Sequence, residues 1–322
     1  MTPDATLALR QDLPPYEPFH YYRDRESAWL LQAHLKDDTP VRAVRQTTRA
    51  KLLDRPLIRP LAAGGGGVLR HHDLRVLARA DCVLDYDALS APGVAALEAV
   101  YDAPWMDFEI TYDIWQDRDW QWAQMSRPGA NLVVQLGFPS DHALLLQRTI
   151  GKADRDKFEC DLHPVRTSGR PTLAWARLDI DVKSGTALIE ELQSDWLRFV
   201  RRYVRDLTDA RPRSRVLRNT QAYEAGLTAQ YDKVWAKALL THVLILLRDR
   251  LGLRDVFMHQ PVPGAMLKSI DRRLPPRSLY TDLPKSFCFT PTRDVPDFLR
   301  IKRRKHLRQL DRKAPLFWKM TF

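Results

Sequence analysis

Cysteine is scarce in this chain, with three in 322 residues, at positions 82, 160 and 288. No two make a CxxC pair, and an odd, dispersed set is not a disulfide framework. That usage suits a reducing compartment, and the chain reads as cytoplasmic. Long apolar runs are missing as well. Leu239-Leu240 and Val243–Leu247 are separated by Thr241 and His242, far short of the ~20 residues that span a bilayer. The opening Met1-Thr2-Pro3-Asp4 lacks the basic start and apolar core of a secretory leader. No membrane partner is expected. There is no HExxH, no Cys/His zinc spacing and no GxSxG, so no metal is expected and serine-hydrolase chemistry has no signature. The run Gly64–Gly67 lacks the GKS/T ending of a P-loop and reads as a plain loop. No internal repeat occurs.

Positive charge is what the chain has in excess. Lys and Arg number 51 against 40 Asp and Glu, a formal net charge of +11. A 44% hydrophobic and 28% charged composition is globular. The basic excess favours an anionic partner, or simply a solvated surface. It is densest where Arg198, Arg201, Arg202 and Arg205 fall at near-helical spacing, followed by Arg211, Arg213, Arg215 and Arg218. Segment 198–218 is therefore an anion- or nucleic-acid-binding face or a solvated one, and composition leaves both open.

Residues 1–20 read as an extended arm, Glu26–Leu35 and Ala91–Tyr101 as helices, and Asn131–Phe138 as a strand. Between them Trp105, Trp115, Trp120 and Trp122 alternate with Asp107, Glu109, Asp113, Asp117 and Asp119. The rings could stack on bases, but local acidity repels phosphate, and packing against a sheet edge is the simpler reading. A helix is expected over about Asp232–Leu251, capped by Asp232 and ended by Gly252, then strands at Arg254–His259, Phe287–Thr290 and Leu316–Phe322. Pro261 and Pro263 are expected to end the first of these, with a helix over Gly264–Arg272. The expected class is α+β, a mixed, mainly antiparallel central sheet flanked by helices. The expected division is an N-terminal arm and helical region over 1–104 and an α/β core over 105–322, with an arginine-rich insertion at 197–231.

The strongest local pattern is a hairpin. Thr172–Val182 alternates, with Ala174, Ala176, Leu178, Ile180 and Val182 on one face and Trp175, Arg177, Asp179 and Asp181 on the other. Lys183-Ser184-Gly185 makes a three-residue loop with Val182 opposite Thr186. That register sets Trp175 opposite Gln193, Arg177 opposite Glu191 and Ile180 opposite Leu188. It sends Glu190 to the apolar side, opposite Leu178, where a carboxyl either bonds a neighbour or has a raised pKa. Glu191, Gln193 and Asp195 share the polar face. Either Arg177, Gln193, Ser194 and the wall of Trp196 line a substrate cleft in which a carboxylate takes a proton, or Arg177–Glu191 is an exposed ion pair and Trp196 is packing. His163, His242 and His259 are isolated in sequence, and His242 reads as a satisfied core residue.

The order of strand, hairpin, strand, long helix, strand, helix and two strands over ~170–322 resembles the GNAT N-acyltransferase core. Leu279-Tyr280-Thr281 ahead of Phe287-Cys288-Phe289 is similar to that family's helix-end tyrosine and Gly-Phe strand. The resemblance implies Glu190 or Glu191 as general base for an attacking amine and Tyr280 as acid toward the leaving thiolate. It implies acyl-CoA as donor at the start of the long helix, near Lys233 and Trp235. The family's Q/R-x-x-G-x-G/A phosphate loop is absent before Val234, and Cys288 replaces its glycine. Separately, Ile189-Glu190-Glu191-Leu192-Gln193-Ser194-Asp195-Trp196 with Lys233-x-Trp235 is similar to a module of phage and mobile-element polyvalent proteins. That second resemblance implies a nucleic-acid-associated accessory protein as the alternative.

Overall fold

Thr2-Pro3-Asp4 starts a helix, not an extended arm. The Ala5 N–H donates to Thr2 Oγ1 at 3.3 Å, proline takes the first helical position, and Asp4 meets the positive end of the dipole. The computed structural model describes residues 1–79, 86–103, 105–116, 124–150, 157–160, 162–166, 169–270, 274–300 and 314–322. In chain order its helices are α1 (Pro3–Asp12), α2 (Arg25–His34), α3 (Val41–Arg45), α4 (Arg59–Gly64), α5 (His71–Arg79), α6 (Ala91–Glu98), α7 (His142–Thr149), α8 (Asp195–Ala210), α9 (Arg215–Tyr231), α10 (Trp235–Ile245), α11 (Pro261–Leu267) and α12 (Leu283–Ser286). Its strands are β1 (Tyr16–Tyr21), β2 (Thr39–Pro40), β3 (Val68–Leu69), β4 (Met106–Trp115), β5 (Asn131–Gly137), β6 (Thr172–Asp181), β7 (Thr186–Gln193), β8 (Asp255–His259), β9 (Thr290–Thr292) and β10 (Phe317–Thr321).

The chain divides into two units. The first comprises residues 1–18, 108–284 and 290–321. It is organised on an eight-stranded sheet of order β1-β4-β5-β6-β7-β8-β10-β9. From β4 to β9 the neighbours run antiparallel except β7 and β8, which are parallel. A parallel pair needs a long crossover, and α8, α9 and α10 supply it. The arginine-rich segment thus lies on the helical pair α8–α9. Helices α8 and α10 lie against β6, over the small and branched side chains Ala174, Ala176, Leu178 and Ile180, all buried. On the other face Leu188, Phe257, Leu267, Phe298, Leu299, Leu316 and Phe317 form an apolar cluster.

Several boundaries differ from expectation. Asp232 ends α9 and does not open the long helix, which starts at Trp235 and closes with a π turn, Leu246–Arg250. Pro261 begins α11, a position that needs no N–H. The first closing strand lies at Thr290–Thr292, beyond the expected Phe287–Thr290.

The second unit comprises 19–107, 285–289 and Phe322. Its helices α2 and α5 pack together, as do α4 and α6, around Leu30, Leu31, Leu52, Leu57, Ile58, Leu74 and Leu77. Gly66 and Gly67, both at positive φ, turn the chain from α4 into β3. Trp105 stacks on Tyr22 at 4.8 Å between centroids, so this tryptophan packs on another ring. Asp117, Asp119, Trp120, Trp122 and Cys82 lie outside the described residues.

Candidate active site on the polar face of the sheet

The β6–β7 register begins as alternation predicts, with Trp175↔Gln193, Ala176↔Leu192 and Arg177↔Glu191. It then slips by one: Leu178 faces Ile189, Ile180 faces Ala187 and Asp181 faces Thr186. The turn is correspondingly four residues, 182–185, with Val182 exposed and Gly185 at φ 67°. Glu190 is the extra residue, a β-bulge. The expected pairings Leu178–Glu190, Ile180–Leu188 and Val182–Thr186 are therefore corrected. A bulge re-aims its side chain, and here Glu190 meets groups beside Glu191.

Glu190 is wholly buried. Its carboxylate accepts from the Ser126 N–H at 3.1 Å and the Ser126 hydroxyl at 2.7 Å, and lies 3.0 Å from His259 Nε2. Lys268 Nζ donates to the Glu190 carbonyl at 3.1 Å and sits 3.6 Å from the Glu191 carboxylate. Glu191 is ion-paired to Arg177, which also donates to the Gln124 carbonyl. The rings of Trp115 and Trp175 flank that guanidinium at 5.3 and 5.8 Å. The Arg177–Glu191 pair therefore exists, but Arg177 is buried, so the exposed-pair reading is replaced by a buried network. Burial by itself would raise both carboxyls. For Glu190, the His259 hydrogen bond, the His259 and Lys268 charges and Ser126 outweigh it and hold the group at about 2. For Glu191 the charges of Lys268 and Arg177 do the same, again to about 2.

Ser126, His259 and Glu190 have the composition of a hydrolase triad but not its connections. In such a triad, hydroxyl and carboxylate hold opposite ring nitrogens. Here the Ser126 oxygen, at 2.9 Å, and the Glu190 carboxylate both meet His259 Nε2. Nδ1 has no partner among the described residues. It lies against Gly264 of α11, where a Cβ would come within 3.4 Å of it and 2.7 Å of His259 Cβ. All three side chains are inaccessible, which suits a structural centre.

The second cluster is at the end of β7 and reaches solvent. Asp195 opens α8, with Ser194 as its cap: the Leu197 N–H donates to Ser194 Oγ at 3.4 Å and Ser194 Oγ donates to the Leu173 carbonyl at 2.6 Å. Asp195 Oδ2 lies 2.7 Å from His163 Nδ1 and accepts from Trp175 Nε1 at 2.8 Å. Oδ1 accepts from Arg198 at 2.6 Å and from Gln193. Burial opposes ionisation of Asp195, but the His163 and Trp175 hydrogen bonds and the Arg198 charge keep its carboxyl below the ordinary value. Asp195 is 2% exposed, His163 29% and Arg198 54%, a buried acid between two accessible bases.

The structure therefore brings Arg177, Glu190, Glu191, Gln193 and Asp195 onto one face. Tyr280 is also close. Its buried phenol oxygen accepts from the Leu192 N–H at 3.3 Å, and burial with the nearby Glu191 charge raises its pKa strongly. Ser194 and Trp196, expected to bind substrate, are engaged elsewhere. Trp196 Nε1 donates to the Tyr223 hydroxyl at 2.8 Å, within a buried group of Phe138, His142, Phe158 and Tyr223. Lys233 is exposed and Trp235 is the buried first residue of α10; neither has a hydrogen bond or ion pair to the polar face among the described residues. His163, His259, Ser126 and Lys268 were missed by sequence reasoning, since nothing local marks them. His242 is a bonded core residue as read, 2.9 Å from the Tyr112 hydroxyl.

No described group of His, Cys, Asp and Glu has the arrangement of a metal site. No described helix is long and apolar enough to cross a membrane. Comparison with family models, curated proteins and solved structures finds no match to this chain.

Proposed function

We propose that the chain is an N-acyltransferase-like enzyme with a GNAT-like C-terminal core, moving an acyl group from a nucleotide-containing donor such as acyl-CoA to an amine. The observation that supports this reading is the parting of β7 from β8. The two pair in parallel from Thr186/Asp255 to Ile189/Met258. Beyond that point the outer edge of β7 is met by side chains: Lys268 at the Glu190 carbonyl and Tyr280 at the Leu192 N–H. A main-chain edge that leaves its ladder must find other partners; here Tyr280 holds the Leu192 N–H, and a substrate carbonyl would bind by taking its place. Tyr280 keeps its proton, and burial with the nearby Glu191 charge makes it a weaker acid toward a leaving thiolate than an ordinary phenol. Glu190 and Glu191 are poor bases for an ammonium, because carboxylates held near 2 lie far from the pKa that suits proton removal at neutral pH. Lys233 can meet a phosphate as a point charge. Calorimetric titration with acetyl-CoA tests the proposal: saturable binding, weakened in Lys233→Ala, is expected. No binding at millimolar acetyl-CoA refutes the donor.

A second reading is supported by the arginines of α8–α9. Arg205, Arg211, Arg213, Arg215 and Arg218 are exposed and have no acidic partner among the described residues, and the first turn of α9 carries no acid. A helix start without acids, crowded by guanidinium groups, favours phosphate. Nucleic acid is the partner this surface suits, and retention on DNA that falls steeply with salt is its signature.

A further inference from the structure

We propose that His163 and Asp195 form a catalytic dyad in which His163 Nε2 is the general base for attack on an acyl carbonyl. This inference takes its acyl substrate from the reading above; its base comes from geometry alone. An ionised carboxylate only accepts hydrogen bonds. Two groups meet Nδ1, Asp195 Oδ2 at 2.7 Å and the Gln193 amide nitrogen at 3.1 Å; the amide donates to Asp195 Oδ1 by a shorter contact, so Oδ2 receives the Nδ1–H and the neutral ring carries its lone pair on Nε2. Nε2 has no partner among the described residues, and the ring is partly exposed. The acid itself is fixed by Trp175 Nε1, Gln193, Arg198 and its place at the start of α8. The Trp175 ring also packs edge-on to the imidazole, at 5.6 Å between centroids. A buried acid holding the far nitrogen of an accessible imidazole is the arrangement that orients a base and stabilises its imidazolium.

His259 offers the opposite case, since its Nε2 is occupied and its ring sealed. Arg198, bonded to Asp195 and half exposed, presents a cation beside the base for the oxygen that becomes negative on the acyl group. In the step, Nε2 takes the proton of an attacking water or amine as its oxygen or nitrogen bonds to the acyl carbon. The bond from that carbon to the leaving group then breaks, and the electron pair leaves with the departing oxygen or sulfur. The imidazolium returns its proton to the leaving group or to bulk water.

The probe is p-nitrophenyl acetate, an activated ester that needs no coenzyme A. The full chain is expected to hydrolyse it, with the rate falling about a hundredfold in His163→Ala and unchanged in His72→Gln, an exposed histidine of the other unit. Added imidazole is expected to restore hydrolysis by His163→Ala above the rate of imidazole alone. Nitrogen-15 spectra of the resting protein are expected to show His163 protonated on Nδ1 and bare on Nε2. Hydrolysis unaffected by His163→Ala, or a resting ring protonated on Nε2 alone, overturns the dyad. Ester cleavage that depends on His163 in a chain that ignores acetyl-CoA refutes the donor and leaves the dyad standing.

Discussion

Replacing Glu190 with Gln separates the charge of the buried carboxylate from its shape. The amide has nearly the same volume and can still accept from the Ser126 N–H, so it stands for a carboxyl that has lost its charge. In the folded chain that carboxyl titrates at about 2 against an ordinary 4.5. The difference of about 2.5 units, at ~1.4 kcal/mol each, makes the charged form worth about 3 kcal/mol to the fold at neutral pH. The sign follows from the lowered folded value. The stability is fully present above ~4.5 and is lost as pH falls toward 2; about 1 kcal/mol remains at pH 3. Urea unfolding of both proteins, followed by circular dichroism at pH 7 and at lower pH, measures the difference directly. Glu190→Gln is expected to cost about 3 kcal/mol at pH 7 and progressively less below pH 4.5. A gap that stays constant with pH, or a variant as stable as the parent at pH 7, refutes the claim that His259, Ser126 and Lys268 stabilise the charged form.

Gly264→Ala sets two opposite effects against each other. Alanine favours a helix by about 1 kcal/mol, but its Cβ would stand 2.7 Å from His259 Cβ and 2.9 Å from Cγ, and overpacking costs about 1–3 kcal/mol. Since the imidazole is held by Glu190 and Ser126, the clash is expected to win and thermal unfolding to occur at lower temperature; a higher midpoint would show that the ring yields. For the arginine surface, Arg213→Glu, Arg215→Glu and Arg218→Glu together are expected to weaken DNA binding and flatten its salt dependence, by about one unit of slope for each phosphate no longer neutralised. Unchanged affinity and slope would assign that face to solvent.

Much of the sheet was legible because alternation is a local signal. Ala174 to Ile180 announce one buried face, and three of the predicted β6–β7 pairs occur as read. The bulge was harder to see, since a single extra residue leaves the pattern intact on either side of it. Its trace was Glu190 itself, the one charged residue that a regular register sent into the apolar side. The first helix was also legible in principle, from Thr2-Pro3-Asp4, but the prolines that follow drew the reading toward an arm. The site was legible only in part. Glu191, Gln193, Asp195 and Arg177 lie on two strands that pair directly, whereas His163 and Ser126 reach the same face from loops and His259 from the far side of a three-helix crossover. Trp196 and Ser194 misled for a related reason. Being adjacent to polar site residues in sequence, they nevertheless belong to a helix cap and an aromatic core.

The Glu190 bulge works on side chains as a frameshift works on codons. Before it, odd and even positions of β7 answer to one assignment of faces; after it, to the other, so Leu188 joins the apolar cluster while Glu191 and Gln193, in the opposite parity's natural place, still meet Arg177 and Trp175. One strand thus serves a dry half and a charged half on the same side of the sheet. Deleting Glu190 would close the ladder while leaving both halves in phase with β6, so its cost would be confined to the buried carboxylate that Ser126 and His259 hold.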